Sequence, residues 1–170
     1  MSSIEYAADV DVPVRTAYNQ WTQFESFPRF MPGVLRVDRK QSALTHWVAK
    51  CWGTTREFDA EIVVQCPDKK VTWRSLARPL HTGTVTFDSL GADQCRVTLR
   101  IDFVPTGMAE RIGDRLGMIH RRVHADMDGF KEYIERQGAE TGGWRGEIDG
   151  SHVRPNSGQD RPHVPSWPTG

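Results

Sequence analysis

The segment CRVTLRIDFV, residues 95–104, alternates apolar and polar side chains from Cys95 to Phe103. Its apolar positions are Cys95, Val97, Leu99, Ile101 and Phe103, and charged or hydroxyl-bearing residues stand between them. Successive side chains of a β-strand point to opposite faces of the sheet, so this pattern predicts a strand with one buried face and one wet face. Such strands are typical of antiparallel sheets.

The same two-residue period recurs in the segments that precede this strand. It predicts about seven strands in all, over SIEYAADV, VLRVDRK, ALTHWVAKCW, FDAEIVVQ, KVTWRS, HTGTVTFD and CRVTLRIDFV. The stretches KQS (40–42), PDKK (67–70) and GADQ (91–94) are interpreted as turns between these strands.

The period changes to that of a helix after residue 105. Apolar residues then recur at steps of three and four, at Met108, Ile112, Leu116, Ile119, Val123, Met127, Phe130 and Ile134. This spacing predicts one long amphipathic helix from about residue 106 to residue 137. Two short helices are predicted between the first two strands, one near Pro13 and one in the aromatic stretch WTQFESFPRFMPG, residues 21–33. The predicted fold class is α+β, with a curved seven-stranded antiparallel sheet against the long C-terminal helix.

The composition of the chain changes after Gln137. Residues 138–170 are rich in glycine, proline and polar residues and show no apolar period. We therefore expect one domain at residues 1–137 and a mostly disordered tail at residues 138–170. Trp144 and Trp167 are the tail residues suited to local docking.

Charge and composition exclude several classes of function. Lysine plus arginine and aspartate plus glutamate each total 22, so the chain has no basic field that would attract nucleic acid. It has no apolar stretch close to the length of a transmembrane helix and no signal-peptide pattern, which predicts a cytoplasmic protein. The three cysteines lack CxxC spacing, which argues against a disulfide framework and a thiolate metal site.

Several motifs together resemble a known superfamily. They are W-x-x-F-E-x-F-P-x-F-M at 21–31, His46-Trp47, FDAEI at 58–62, VTWRS at 71–75, GTVTF at 83–87 and GFKEYIE at 129–135. In this element order they resemble the SRPBCC superfamily (START-like, birch pollen allergen-like), in its polyketide cyclase/dehydrase branch. The resemblance covers roughly residues 3–137, and ETGGWRGEI also resembles tails of that branch. It implies a helix-grip fold with an apolar cavity that takes lipids, polyketides or quinones.

The leading functional hypothesis is a module that binds a hydrophobic small molecule in that cavity. Strand parity and the helix stripe predict a pocket of several hundred Å3 between sheet and helix. Its expected ligand-binding residues are Tyr18, Met31, Trp47, Phe58, Trp73, Val85, Phe87, Leu99, Phe103, Met108, Ile112 and Leu116.

An enzyme is the alternative hypothesis. The resemblance implies a polyketide cyclase/dehydratase (aromatase/cyclase) acting on a poly-ketone intermediate, whose chemistry needs a base and a hydrogen-bond donor in the cavity. The candidate catalytic residues are Tyr18, Arg78 and His81. His81 shares the inward parity of its strand, whereas Arg78 lies where Pro79 interrupts the strand pattern. A surface arginine and a structural histidine are the competing interpretations.

A histidine pair lies in the predicted long helix. His120 and His124 have the spacing of paired metal ligands, but no HExxH glutamate or third ligand accompanies them, so no metal and no other cofactor is predicted. A third functional hypothesis is that the tail, through Trp144 and Arg145, docks on a partner protein or on a second copy of the chain as a homodimer.

Overall fold

The computed structural model describes residues 2–51, 54–77, 80–103 and 109–155. Its elements are β1 (Ser2–Val10), α1 (Val14–Trp21), a 3₁₀ helix (Phe24–Arg29), β2 (Val34–Gln41), β3 (Leu44–Cys51), β4 (Thr54–Cys66), β5 (Lys70–Ser75), β6 (His81–Gly91), β7 (Gln94–Phe103), α2 (Ala109–Gln137), β8 (Glu147–Asp149) and β9 (His152–Arg154). No helix in this described part is long and apolar enough to cross a bilayer.

One antiparallel sheet contains all the strands. Its order is β1-β7-β6-β5-β4-β3-β2. Each strand from β2 to β7 pairs with the next one along the chain, and β1 pairs with β7. The seven long strands correspond to the prediction. The described sheet has nine strands because β8 pairs with β4 at Val64 and Gln65, and β9 pairs with β8.

The predicted periods match the burial of the two elements that decide the fold. On β7, Cys95, Val97, Leu99 and Phe103 are buried, and the residues between them reach solvent. On α2, the stripe of Ile119, Val123, Met127, Phe130 and Ile134 is buried in the same core. The helix thus closes one face of the curved sheet, as a helix-grip fold requires.

The aromatic stretch at residues 21–33 joins α2 to the sheet. The Trp21 ring packs 5.2 Å from Phe27, 5.2 Å from Phe130 of α2 and 6.3 Å from Phe87 of β6, measured between ring centroids. These are inclined and edge-to-face arrangements, which aromatic pairs favour. The rings therefore serve first as core that holds the helix on the sheet.

A second contact brings α2 very close to the same segment. A side chain at Gly129 would overlap the backbone carbonyl oxygen of Phe30. Since only glycine leaves room for that carbonyl, residue 129 sets how near the helix comes to the chain that follows the 3₁₀ helix.

The first part of the tail differs from the prediction of disorder. Gly138, at a φ of 70°, ends α2, and its N–H donates to the Ile134 carbonyl at 2.9 Å. The backbone N–H of Thr141 donates to Gln20 Oε1 at 2.8 Å, and that of Trp144 donates to Thr22 Oγ1 at 2.8 Å. Residues 138–145 are held by polar contacts to α1 and Thr22, and residues 147–154 are held by the pairing of β8 with β4 and of β9 with β8. No apolar period in the sequence indicates this docking. Residues 156–170, with Trp167, lie outside the described residues.

Candidate functional site

A cavity of about 150 Å3 lies between the sheet and α2. Most of its lining is apolar, and the described lining comprises Trp21, Phe27, Met31, Gly33, Val34, Trp47, Ala49, Lys50, Phe58, Trp73, His81, Leu99, Ile101, Phe103, Ile119, Arg122, Val123, Asp126 and Met127. It is smaller than the several hundred Å3 expected from the sequence. Large rings from the sheet and from the aromatic stretch at residues 21–33 project into the space.

The structure brings half of the proposed ligand-binding residues to this cavity. Met31, Trp47, Phe58, Trp73, Leu99 and Phe103 line it. Met108 lies outside the described residues, as do the side chains of Ile112 and Leu116, which stand on α2.

Tyr18, Val85 and Phe87 have the correct parity but lie elsewhere in the core. The Phe87 ring packs 5.3 Å from Tyr18 and 6.3 Å from Trp21, under α1. Parity fixes the face of the sheet to which a side chain points, but not whether α1 or an open space covers that face. These three side chains therefore belong to solid core in this structure.

Trp73 lies over Gly83 on the sheet side of the cavity. The two residues are paired across β5 and β6, and a side chain at residue 83 would overlap the Trp73 indole. The glycine lets the large ring lie down on the neighbouring strand, so Gly83 determines the position of this wall.

His81 contributes a polar ring to an aromatic part of the lining. Its imidazole lies 5.3 Å from the Phe58 ring and 5.9 Å from the Phe103 ring, centroid to centroid. The backbone N–H of His81 donates to Ser75 Oγ at 2.9 Å, which anchors the start of β6. The enzyme candidate His81 thus lines the cavity.

Asp126, Arg122 and Lys50 form the other polar part of the lining. Asp126 Oδ1 accepts the Gly33 N–H at 2.9 Å, and the Arg122 guanidinium donates to the Lys50 carbonyl. Burial raises the pKa of Asp126 to about 6, against the lowering effects of the Gly33 hydrogen bond and of Arg122. The cavity therefore holds a carboxyl group that titrates close to neutral pH.

The sequence reading missed Asp126 and Arg122. Both stand on α2, four residues apart, each directly before a buried stripe residue, Met127 and Val123. Their positions at the edge of the apolar stripe were a usable signal, because helical side chains one position from the stripe border the buried face.

Of the other two catalytic candidates, Tyr18 is described, and it is absent from the cavity lining. Tyr18 is fully buried, and its hydroxyl accepts a hydrogen bond from Gln65 Nε2 at 3.1 Å. Burial raises the pKa of Tyr18 to about 12, so the phenol stays protonated at neutral pH. Arg78 lies outside the described residues.

The histidine pair on α2 stands apart from the cavity lining. The Nε2 atoms of His120 and His124 are 3.2 Å apart, and the His124 ring lies 3.9 Å from that of Tyr6. No group of three or more His, Cys, Asp or Glu side chains with metal-binding geometry occurs among the described residues.

A second, more polar groove of about 570 Å3 runs between the 3₁₀ helix and the start of the tail. Within it the Arg39 guanidinium lies 5.0 Å from the Phe24 ring and 5.4 Å from the Trp144 ring. Arg39 also donates to the Thr22 carbonyl at 3.1 Å. These contacts help to hold the tail on the domain.

A family model and a curated relative both match most of the chain. The family model described as "Polyketide cyclase / dehydrase and lipid transport" matches residues 10–130. An uncharacterised 17.2 kDa protein of Streptomyces lincolnensis is 48% identical over 149 residues, which cover 87% of this chain and 99% of the relative.

Solved structures share the architecture at low sequence identity. The Zhui aromatase/cyclase from Streptomyces sp. R1128 superposes with a TM-score of 0.71 at 16% identity, over 84% of this chain and 98% of that one. A START superfamily protein from Mycobacterium smegmatis has a TM-score of 0.63 at 13% identity, over 78% and 98% of the two chains. These likenesses show the helix-grip fold.

Proposed function

The chain belongs to the polyketide cyclase/dehydrase and lipid transport family, and from this premise we propose that it binds a hydrophobic small molecule in the cavity between the sheet and α2. The observation that carries the proposal is the lining. Six of the described lining residues are aromatic, and the polar side chains among them are confined to Lys50, His81, Arg122 and Asp126. Pockets with apolar walls and a few polar groups are the usual form of a small-molecule site.

The walls supply the binding free energy in this proposal. Each 100 Å2 of apolar ligand surface removed from water contributes about 2.5 kcal/mol. Truncation of a wall residue should therefore weaken binding more than removal of a polar group that only orients the ligand.

A cyclase or dehydratase is the second candidate, favoured by one observation. His81 and Asp126 line the same cavity, and the pKa of Asp126 is raised to about 6. A base with a pKa near the working pH, here Asp126, is suited to removing a proton from the carbon beside a ketone. The other group, His81, can give a proton to the enolate oxygen. His81 and Asp126 take the place of Tyr18 in this hypothesis.

Titration of intrinsic tryptophan fluorescence tests the binding proposal. Lipids, quinones and aromatic polyketides are added to the protein, to Trp73→Ala and to His81→Ala. The surface variant Leu90→Ala serves as a control, since Leu90 is exposed and absent from the lining. A binder should lose affinity in Trp73→Ala and keep it in the other two variants. Failure of every hydrophobic compound to bind would refute the proposal.

Product analysis on each compound that binds separates the second candidate from the first. If the protein is a cyclase, His81→Ala and Asp126→Asn should lower turnover by about 10² to 10⁴ while binding stays close to that of the wild type. Recovery of every bound compound unchanged would exclude catalysis on the compounds offered.

A further inference from the structure

The cavity volume limits the part of a ligand that this protein can enclose. Pockets for drug-sized ligands usually measure about 300–1,000 Å3. An engineered apolar cavity of about 150 Å3 in another protein stays dry and binds benzene. The volume here, about 150 Å3, is of that second kind. It matches one six-membered ring and is too small for a fused polycyclic molecule or a long acyl chain.

The aromatic walls are held by packing that opposes enlargement. Trp21 is fixed between Phe27 and Phe130, each 5.2 Å away. Trp47 lies 5.8 Å from Phe27 and 6.4 Å from Phe58, with its ring parallel to that of Phe58. Interiors packed in this way yield little to a larger guest, because moving one ring displaces the others. Ring edges and faces also match an aromatic guest better than an aliphatic one.

The polar part of the lining formed by Asp126, Arg122 and Lys50 favours a ligand that donates a hydrogen bond. Asp126 uses Oδ1 to accept the Gly33 N–H, and a carboxylate offers about four acceptor positions. The Arg122 guanidinium already donates to the Lys50 carbonyl. A hydroxyl or N–H on the ring would therefore find an acceptor at Asp126, which is the one acidic side chain of the described lining.

We propose that the ligand enclosed by this cavity is a single aromatic ring bearing a hydrogen-bond donor, of the phenol class, with the ring among the aromatic walls and the donor directed to Asp126. The inference rests on the proposed binding function and narrows it. It departs from an expectation of polycyclic or lipid ligands, because the volume and the packing of the walls, rather than the fold, set the size.

A size series tests the first half of the inference. Dissociation constants are measured by calorimetry or ligand-detected NMR for phenol, 1-naphthol, a hydroxyanthraquinone and decanoate. We expect phenol to bind, and 1-naphthol to bind at least tenfold more weakly despite its larger apolar surface. Tighter binding of the polycyclic compounds or of decanoate overturns this inference and leaves the proposed function standing. If none of the four compounds binds, both this inference and the proposed function are overturned.

A polarity series tests the second half. Phenol, toluene and benzoate are compared on the wild type, on Asp126→Leu and on Asp128→Leu, whose residue lies on α2 but not in the cavity lining. A hydrogen bond to a charged group is stronger than one between neutral groups, so the preference for phenol over toluene should fall about tenfold or more in Asp126→Leu alone. An unchanged preference in Asp126→Leu overturns the inference. Tighter binding of benzoate than of phenol to the wild type also overturns the inference. This comparison does not depend on the folding of any variant.

Discussion

Trp73 and Gly83 face each other across the β5–β6 pair, and the indole of Trp73 occupies the space that a side chain at residue 83 would need. The largest and the smallest side chains are thus matched on adjacent strands. Because Trp73 lines the cavity and Gly83 is absent from the described lining, a residue outside the lining controls the shape of this wall.

Gly83→Ala should therefore damage both stability and binding. The added methyl group forces the Trp73 ring to move, and overpacking of this kind costs about 1–3 kcal/mol. Thermal unfolding and ligand titration measure the two effects. Gly91→Ala is the matched control on the same strand, since a side chain there meets no atom within 4 Å. Equal behaviour of the two variants would contradict the role given to Gly83.

The two glycines of α2 at residues 117 and 129 should respond in opposite directions to alanine. Alanine at 129 overlaps the Phe30 carbonyl, so the helix must move away and the free energy of unfolding should fall by several kcal/mol. Alanine at 117 meets no atom within 4 Å and should stabilise the helix by about 0.5–1 kcal/mol. Chemical denaturation of both variants decides the matter, and destabilisation by Gly117→Ala would be the contrary result.

Asp126→Asn should change the pH dependence of stability. The folded pKa of Asp126 is raised from 3.8 to about 6, so the folded state favours the protonated form, and the resulting stability is lost as pH rises from about 4 through 6. Asparagine still accepts the Gly33 N–H and does not ionise. The melting temperature of the variant relative to the wild type should therefore rise between pH 5 and pH 8. A change of 1 kcal/mol corresponds to about 2–4 °C in a protein of this size.

Glu132→Gln provides the control for that measurement. Glu132 also stands on α2, but its side chain is 74% exposed and pairs with Arg136. The difference between this variant and the wild type should be the same at pH 5 and pH 8. If Asp126→Asn behaves in the same way, the ionisation of Asp126 does not oppose folding.

Arg145→Ala should destabilise the protein through the docked part of the tail. Arg145 makes two hydrogen bonds to Asp68, at 3.0 and 2.7 Å, and one to Asn19 Oδ1 at 2.7 Å, and its side chain is only 15% exposed. Loss of these bonds should cost about 1–3 kcal/mol. Arg36→Ala, which removes a surface pair with Asp38, should cost at most about 1 kcal/mol. Equal losses in denaturant titrations would show that the contacts of Arg145 stabilise the fold no more than a surface ion pair does.

The fold was predictable because it depends on two strong periods. The alternation on β7 and the stripe on α2 each extend over several residues, so single exceptions such as the half-buried Ile101 do not obscure them. The element order follows from these periods and is itself one of the features on which the family resemblance rests. The turns were equally predictable, because their glycine, proline and polar residues interrupt the apolar pattern.

The candidate site was less predictable because it depends on what lies opposite each side chain. Tyr18 and Phe87 point inward as expected, but they meet each other and form core. Asp126 stands beside the apolar stripe of α2, which indicates that it borders the buried face, but the burial that raises its pKa depends on the elements packed against that face. The docking of residues 138–155 depends on partners distant in sequence, such as Gln20 for Thr141, about 120 residues away, and β4 for β8.

The pairing of β1 with β7 governs how the chain reaches its structure during synthesis. Ser2 lies beside Phe103, so the first strand must wait for about a hundred further residues before its partner exists. At a translation rate of about 5–20 residues per second, that delay is roughly 5–20 s. Pairings this distant in sequence also slow folding, because the long loop has to close before contacts compensate for its entropy. Until β7 has been made, β1 has no partner in the sheet, and its unpaired backbone groups are open to association with other chains.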